Sequence, residues 1–319
     1  MIKETIEKFP QQFKFKPELS YEEKLLSYKN ITVAGMGGSA LGAGLLLSAL
    51  PDLPLRIHRD YDLPQNLEKN ELIITSSYSG NTEETISAYT KAHDEGRPLA
   101  VISVGGKLLA RADHDQTPHI TLPDTGIQPR MSLGYMVIAL LTILKKEDEL
   151  EKIKSLTEIM NSDDLEKAGK KLSTTLKDRV PVFYASNQNH ALAYVAKIGF
   201  NEIGKIPAFM NVLPELNHNE MTGFDRLPTS TKLSDNFSII FLNDSDDQER
   251  IKKRSSLTEK ILKGKGLLTT SLEIEGQTRW EKIFKTIILM DWAAYYTAYR
   301  NGADPQNVPM IEEFKKQLN

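Results

Sequence analysis

The chain has no cysteine among its 319 residues, which removes disulfides and thiolate metal ligands from any account of it. It has two tryptophans and six histidines. The histidines, at positions 58, 93, 114, 119, 190 and 218, never take the H-x-x-x-H spacing of a helical metal site. Neither a metal nor another cofactor is expected. An excess of one charge is also missing, because 40 Lys and Arg stand against 43 Asp and Glu for a formal net charge of −3. That balance gives no general attraction to nucleic acid or to an anionic membrane, so an anionic ligand needs a local site. No apolar run nears membrane-spanning length, and the opening stretch MIKETIEKFPQQFKFKPEL is too polar for a signal peptide. The expectation is a cytoplasmic protein with neither nucleic-acid nor membrane partners.

What is present is an ordinary globular composition, 40% hydrophobic and 26% charged. The length suffices for two domains that each bury a core. In the first half short apolar runs alternate with helical patterns. Residues 30–34, 55–59, 71–75, 99–104 and 119–122 read as strands, with helices over 40–50, 82–95 and 132–145. Apolar residues on both strand faces point to parallel sheets covered by helices. A charged stretch without aromatics, 145–177, carries helix and a domain connection. The alternation then resumes, with strands at 180–185, 237–242 and 267–274 and helices at 189–204, 280–299 and 310–318. The expected fold class is α/β: two three-layer α/β/α domains with mainly parallel sheets, residues 1–150 and 151–319.

Two strands of the first half end in unusual loops, Gly35-Met36-Gly37-Gly38-Ser39-Ala40 and Ser76-Ser77-Tyr78-Ser79-Gly80-Asn81-Thr82. Both lie at a carboxyl strand end and lead into a helix, where open α/β sheets place ligands. Gly37 and Gly38 let backbone approach closely, and the unsatisfied N–H groups of a helix start favour an anion. Ser39, Ser77, Ser79 and Thr82 add neutral hydroxyl donors, a set that suits a compact phosphate monoester. Two other readings compete. Asn81 or Thr82, with Glu84 nearby, could simply cap a helix. Gly35-x-Gly37-x-x-Ala40, with Asp60 near the next strand end, also fits a dinucleotide fingerprint, although that reading leaves residues 76–82 without a role.

GMGGSALG followed by SSYSGNTEET resembles the sugar isomerase (SIS) domain. The resemblance continues through PRMSLGY, FNEIGKIPA, PELNHNEMTGF and VPMIEEFKKQL. In that order these motifs are similar to the bifunctional phosphoglucose/phosphomannose isomerase family over nearly the whole chain. The resemblance implies two SIS domains, a metal-free aldose–ketose isomerisation of a sugar phosphate, and a homodimer whose active site takes its histidine from the partner subunit.

Moving a proton between C1 and C2 requires a base, a cation beside the enediolate, and groups that open the ring. Glu202, in Gly-Phe-Asn-Glu-Ile-Gly, corresponds to the family's catalytic glutamate, although a glutamate late in a helix is ordinarily a solvated one. His218, in Pro-Glu-Leu-Asn-His-Asn-Glu, corresponds to the histidine credited with ring opening and stands among acceptors able to orient it. Arg130, at the entry to the long apolar helix, corresponds to the enediolate-facing arginine. Lys315 corresponds to the C-terminal lysine near the ring oxygen, chosen over Lys316 by register. One departure concerns the stretch Asp304-Pro305-Gln306-Asn307-Val308-Pro309. Gln306 or Asn307 stands where the resemblance expects a threonine that makes room for either C2 epimer. A non-catalytic sugar-phosphate sensor is the rival class. It would join such a domain to a helix-turn-helix, for which the first thirty residues are too short and lack a basic recognition helix. An amino-sugar isomerase would accompany a glutaminase with a cysteine nucleophile, and this chain has none.

Overall fold

Strand formation in the first half follows from runs that are apolar on both faces, and in the computed structural model every residue of Ile31–Gly35, Leu72–Ser76 and Leu99–Ser103 is buried. The structure describes residues 1–160 and 162–318. The chain separates into two units, Lys8–Met160 and Asn161–Asn319 together with Met1–Glu7. The division expected after residue 150 therefore falls ten residues later. The N-terminal helix α1 (Ile2–Glu7) joins the second unit, where it lies against its longest helix.

In the first unit β1 (Ile31–Gly35) leads into α2 (Gly37–Ala49), and β2 (Leu55–His58) and β3 (Leu72–Ser76) follow. Next come α3 (Glu83–Asp94), β4 (Leu99–Ser103), α4 (Gly106–His114) and β5 (His119–Thr121). The five strands lie in the order β2-β1-β3-β4-β5, all pairs parallel. This is a doubly wound sheet whose chain direction switches between β1 and β3. Two helices complete the unit. α5 (Leu133–Ile143), buried at nine of its eleven positions, packs on α2, and α6 (Glu147–Ile159) follows it. The packing of α6 on α5 and on the segment Phe9–Lys14 keeps it in this unit.

The second unit repeats the plan. After α7 (Ser162–Thr175) come β6 (Val180–Ser186), α8 (His190–Glu202), β7 (Phe209–Leu213), the short α9 (Glu220–Gly223) and the short α10 (Thr231–Ser234). They are followed by β8 (Phe237–Asn243), α11 (Glu249–Gly264), β9 (Leu268–Glu273), α12 (Arg279–Arg300) and α13 (Pro309–Leu318). The strand order is β7-β6-β8-β9, again fully parallel. The sequence reading has no strand at β7. This edge strand carries Asn211 at its centre and is only partly buried, so it lacks the apolar run that marks the others.

Candidate functional site

The two glycine- and hydroxyl-rich loops stand at the carboxyl ends of β1 and β3, side by side at the switch point of the first sheet. The first is shorter than expected, because α2 already begins at Gly37 and Ser39 lies in its first turn rather than in a preceding turn. Ser39 joins the loops. Its Oγ accepts the backbone N–H of Tyr78 at 2.9 Å, and its carbonyl oxygen accepts Ser76 Oγ at 3.3 Å. The dinucleotide reading treats the loops separately, whereas here they form one structure. Asp60 of that reading accepts the neighbouring Tyr61 N–H at 2.8 Å.

Inside the second loop Ser77 Oγ accepts Gly80 N–H at 3.1 Å and lies 2.9 Å from Thr82 Oγ1. Ser79 Oγ accepts Asn81 N–H at 3.3 Å. Thr82 occupies the N-cap position of α3, yet its side chain makes no capping bond, and Met36 provides none for α2. The capping interpretation fails for Thr82 and holds for Asn81 at another helix, since Asn81 Oδ1 accepts the Lys107 N–H in the first turn of α4 at 3.2 Å. Among the described residues the starts of α2 and α3 carry no capping bond from their N-cap side chains. Ser39 and Ser77 are buried, Thr82 is half-buried and Ser79 is exposed. Where a serine oxygen accepts a backbone N–H, its own proton is still free to be donated to a ligand.

Gly38 has a specific reason to be glycine. A Cβ there would lie 2.6 Å from Pro129 O and 3.1 Å from Arg130 N. That contact presses the start of α2 onto the turn Pro129–Met131, where Arg130 is buried. Gly80 adopts φ +68°, and a Cβ on it would overlap Gly105 O, so the second loop is locked to the start of α4. Gln12, which no local sequence pattern marks, holds the Arg130 turn from behind. Its Oε1 accepts Gly134 N–H at 3.0 Å and Tyr135 N–H at 3.3 Å, and its Nε2 donates to Met131 O at 2.7 Å. Gln12 caps α5 across more than a hundred residues, a relation without a local sequence signal.

Glu202, His218 and Lys315 belong to the second unit. Glu202 is the last residue of α8 and half-buried. Lys205 Nζ donates to Glu202 O at 2.7 Å and also to Asn307 O, which ties the end of α8 to the segment before α13. His218 is exposed at the end of the turn Glu215–His218. The acceptors expected to orient it are engaged elsewhere. Asn219 Nδ2 donates to Glu215 Oε1 at 2.6 Å, and the Glu220 carboxylate accepts Tyr184 Oη at 2.7 Å and the Asn211 amide. Lys315 and Lys316 both lie exposed on α13, a helix with no buried residue.

At the place in the second sheet that matches the phosphate loops, between the carboxyl ends of β6 and β8, stands the buried carboxylate of Asp244. It accepts Lys282 Nζ at 2.7 Å, Arg279 Nη1 at 2.5 Å, Asn189 Nδ2 at 3.1 Å and Asp246 N–H at 3.1 Å. Burial pushes its pKa up, but the Lys282 bond, the Asp246 N–H and its other donors outweigh burial and hold it below the ordinary value. Among the described residues no group of three His, Asp or Glu side chains could hold a metal ion, and no helix is long and apolar enough to cross a membrane.

A family model described as the bacterial phospho-glucose isomerase C-terminal SIS domain matches residues 165–318. A bifunctional phosphoglucose/phosphomannose isomerase of Caldicellulosiruptor bescii is 32% identical over 336 residues, covering 99% of this chain and 98% of its own. One from Aquifex aeolicus is 33% identical over 324 residues, with 99% and 98% covered. Among solved structures, tagatose-6-phosphate ketose/aldose isomerase from Escherichia coli superposes with a TM-score of 0.71 at 16% identity, covering 96% of this chain and 95% of that one. That likeness shows that the α/β architecture of both units is the SIS fold.

Proposed function

The chain belongs to the bifunctional phosphoglucose/phosphomannose isomerase family, and from that premise we propose that it interconverts glucose 6-phosphate and fructose 6-phosphate, with mannose 6-phosphate as a second and slower aldose. The observation that carries the substrate class is the fusion of the two loops through Ser39 and Tyr78, beside two helix starts whose N-cap side chains make no capping bond. A phosphate dianion there receives hydroxyl protons from Ser39, Ser77, Ser79 and Thr82 and backbone N–H groups at Gly37 and Gly38. With the phosphate fixed, the sugar's C1 and C2 are presented to the acid–base groups rather than diffusing past them.

In this reading His218 opens the ring, with Lys315 at the ring oxygen. Glu202 then removes the proton from C2 of the open-chain aldose and returns it to C1. The Arg130 guanidinium stabilises the negative charge of the cis-enediolate formed between the two transfers. No metal takes part. The active unit is a homodimer in which His218 comes from the partner subunit. Two features support the dimer: the exposed imidazole, and the exposed stripe Met310, Phe314 and Leu318 along α13. Mannose 6-phosphate is the slower aldose because Gln306 or Asn307 leaves less room for the second epimer. The protein acts in the cytoplasm.

A coupled assay with fructose 6-phosphate in the presence of a chelator tests the reading. The wild type turns over, and Glu202→Gln loses about 10²- to 10⁴-fold in kcat, the usual worth of a general base, while still binding fructose 6-phosphate. A folded wild-type sample that binds the ketose and converts neither aldose contradicts it.

A further inference from the structure

His218 carries no hydrogen bond of its own among the described residues, yet the chain on either side of it is tied down. On the N-terminal side Leu216 is fully buried with Val182, Tyr184, Leu213, Ile239 and Phe241. Asn217 Nδ2 donates to Thr258 Oγ1 at 2.7 Å, and its Oδ1 accepts Arg254 Nη1 at 3.2 Å, both on α11. On the C-terminal side the anchor is Glu220. One carboxylate oxygen accepts Tyr184 Oη from β6, and the other accepts Asn211 Nδ2 from β7.

These two donors have no other task. Tyr184 is 1% exposed, and its ring packs edge-on against Phe241 at 5.5 Å, a contact phenylalanine would make equally well. The hydroxyl is explained by Glu220 alone. Asn211 spends its Oδ1 on the Val212 N–H at 2.8 Å, leaving Nδ2 for Glu220. Burial, the bond to Glu220 and the nearby negative charge all push the Tyr184 pKa up, so the phenol remains a donor throughout the neutral range.

We infer that Glu220, clamped by Tyr184 and Asn211, is a positioning residue for His218. It fixes the far side of the loop so that the imidazole meets the substrate from one place. The inference rests on the reading of His218 as the ring-opening group. Loosening the clamp leaves the phosphate anchor untouched, so it costs turnover rather than affinity, and misplacement by about 1 Å is worth roughly 10²-fold.

The test is steady-state kinetics of the full chain on fructose 6-phosphate, with circular-dichroism melting of each variant, for Glu220→Gln, Tyr184→Phe, His218→Ala and the Glu220→Gln/His218→Ala pair. The single Glu220 and Tyr184 variants are expected to lose about 10- to 100-fold in kcat with KM nearly unchanged. In the His218→Ala background Glu220→Gln is expected to cost nothing further, because residues acting through one another are non-additive. Should Glu220→Gln fail to fold, Tyr184→Phe, which removes one oxygen and keeps the ring, carries the same expectation. A KM rise matching the kcat loss, unchanged kcat, or the same loss repeated in the His218→Ala background overturns the inference while the reading of His218 stands. His218→Ala turning over at the wild-type rate overturns both.

Discussion

The two units place opposite things at the same point of the same sheet. In the first, the carboxyl ends of β1 and β3 present hydroxyls, glycines and two helix starts whose N-cap side chains make no capping bond, with Glu83 and Glu84 in the first turn of α3. In the second, the carboxyl ends of β6 and β8 enclose Asp244, whose carboxylate already takes bonds from Lys282, Arg279 and Asn189. One switch point is the proposed phosphate site, and the other is filled from within by Asp244. The difference lies in side chains and not in the fold, since the same sheet position carries neutral donors in one unit and a carboxylate with its own cations in the other. In the proposed function the neutral donors of the first unit would release a sugar-phosphate product more readily than fixed cations would. The second uses cations, because its anion never leaves.

Asp244→Ala should disturb the second unit most. It removes the buried anion that Arg279 and Lys282 share, leaving Lys282 to the more exposed Asp246 at 2.7 Å and Arg279 to Asn189 Oδ1 at 2.7 Å, so the loss is at most the roughly 3–5 kcal/mol of breaking a buried ion pair. Chemical denaturation should report a loss of that order. Inorganic phosphate should restore part of it in the variant and little in the wild type, because the added anion takes the vacated place. Equal phosphate effects on both proteins would mean that the second switch point is not a filled anion site.

Ser39→Ala comes next. It removes a ligand hydroxyl and the acceptor for Tyr78 N–H together, a loss of about 1–3 kcal/mol. Titration calorimetry should then show about 10- to 100-fold weaker binding of fructose 6-phosphate. Unchanged affinity would place the phosphate elsewhere.

A smaller effect, common to both units, appears in acid. In the first unit Glu71 is buried beneath Arg56 and Thr32, with Arg56 Nη2 at 2.6 Å. Burial pushes its pKa up, but the Arg56 and Thr32 bonds outweigh that and leave it below the ordinary value. Asp244 of the second unit is shifted the same way. A depressed folded pKa contributes stability that is fully present above the unfolded value of about 4, and it is lost as pH falls through the folded one. Denaturation of the wild type should weaken steadily below about pH 5, and Glu71→Gln should flatten that slope. An unchanged slope in Glu71→Gln would remove Glu71 from the account.

Much of this was legible in the chain because the signals are local. Apolar runs gave the parallel strands, and the loops at Gly35 and Ser76 stood out by composition before any resemblance was drawn. What escaped the sequence was relational. Strand β7 hides because Asn211 sits at the centre of a half-exposed edge. Gln12 caps a helix that begins 121 positions later, at Leu133. The Asp244 cluster joins side chains from three separate stretches, each an unremarkable surface residue when read alone. The setting of His218 is not legible either, since the polar neighbours expected to orient it bond to one another and to the strands.

Hydrogen exchange measured by mass spectrometry, with and without saturating fructose 6-phosphate, locates the switch point that takes the ligand. Exchange should slow in residues 36–41 and 77–86 of the first unit and stay unchanged in 187–190 and 244–249 of the second. Protection confined to the second pair of segments, or absent from the first, would contradict a phosphate site in the first unit.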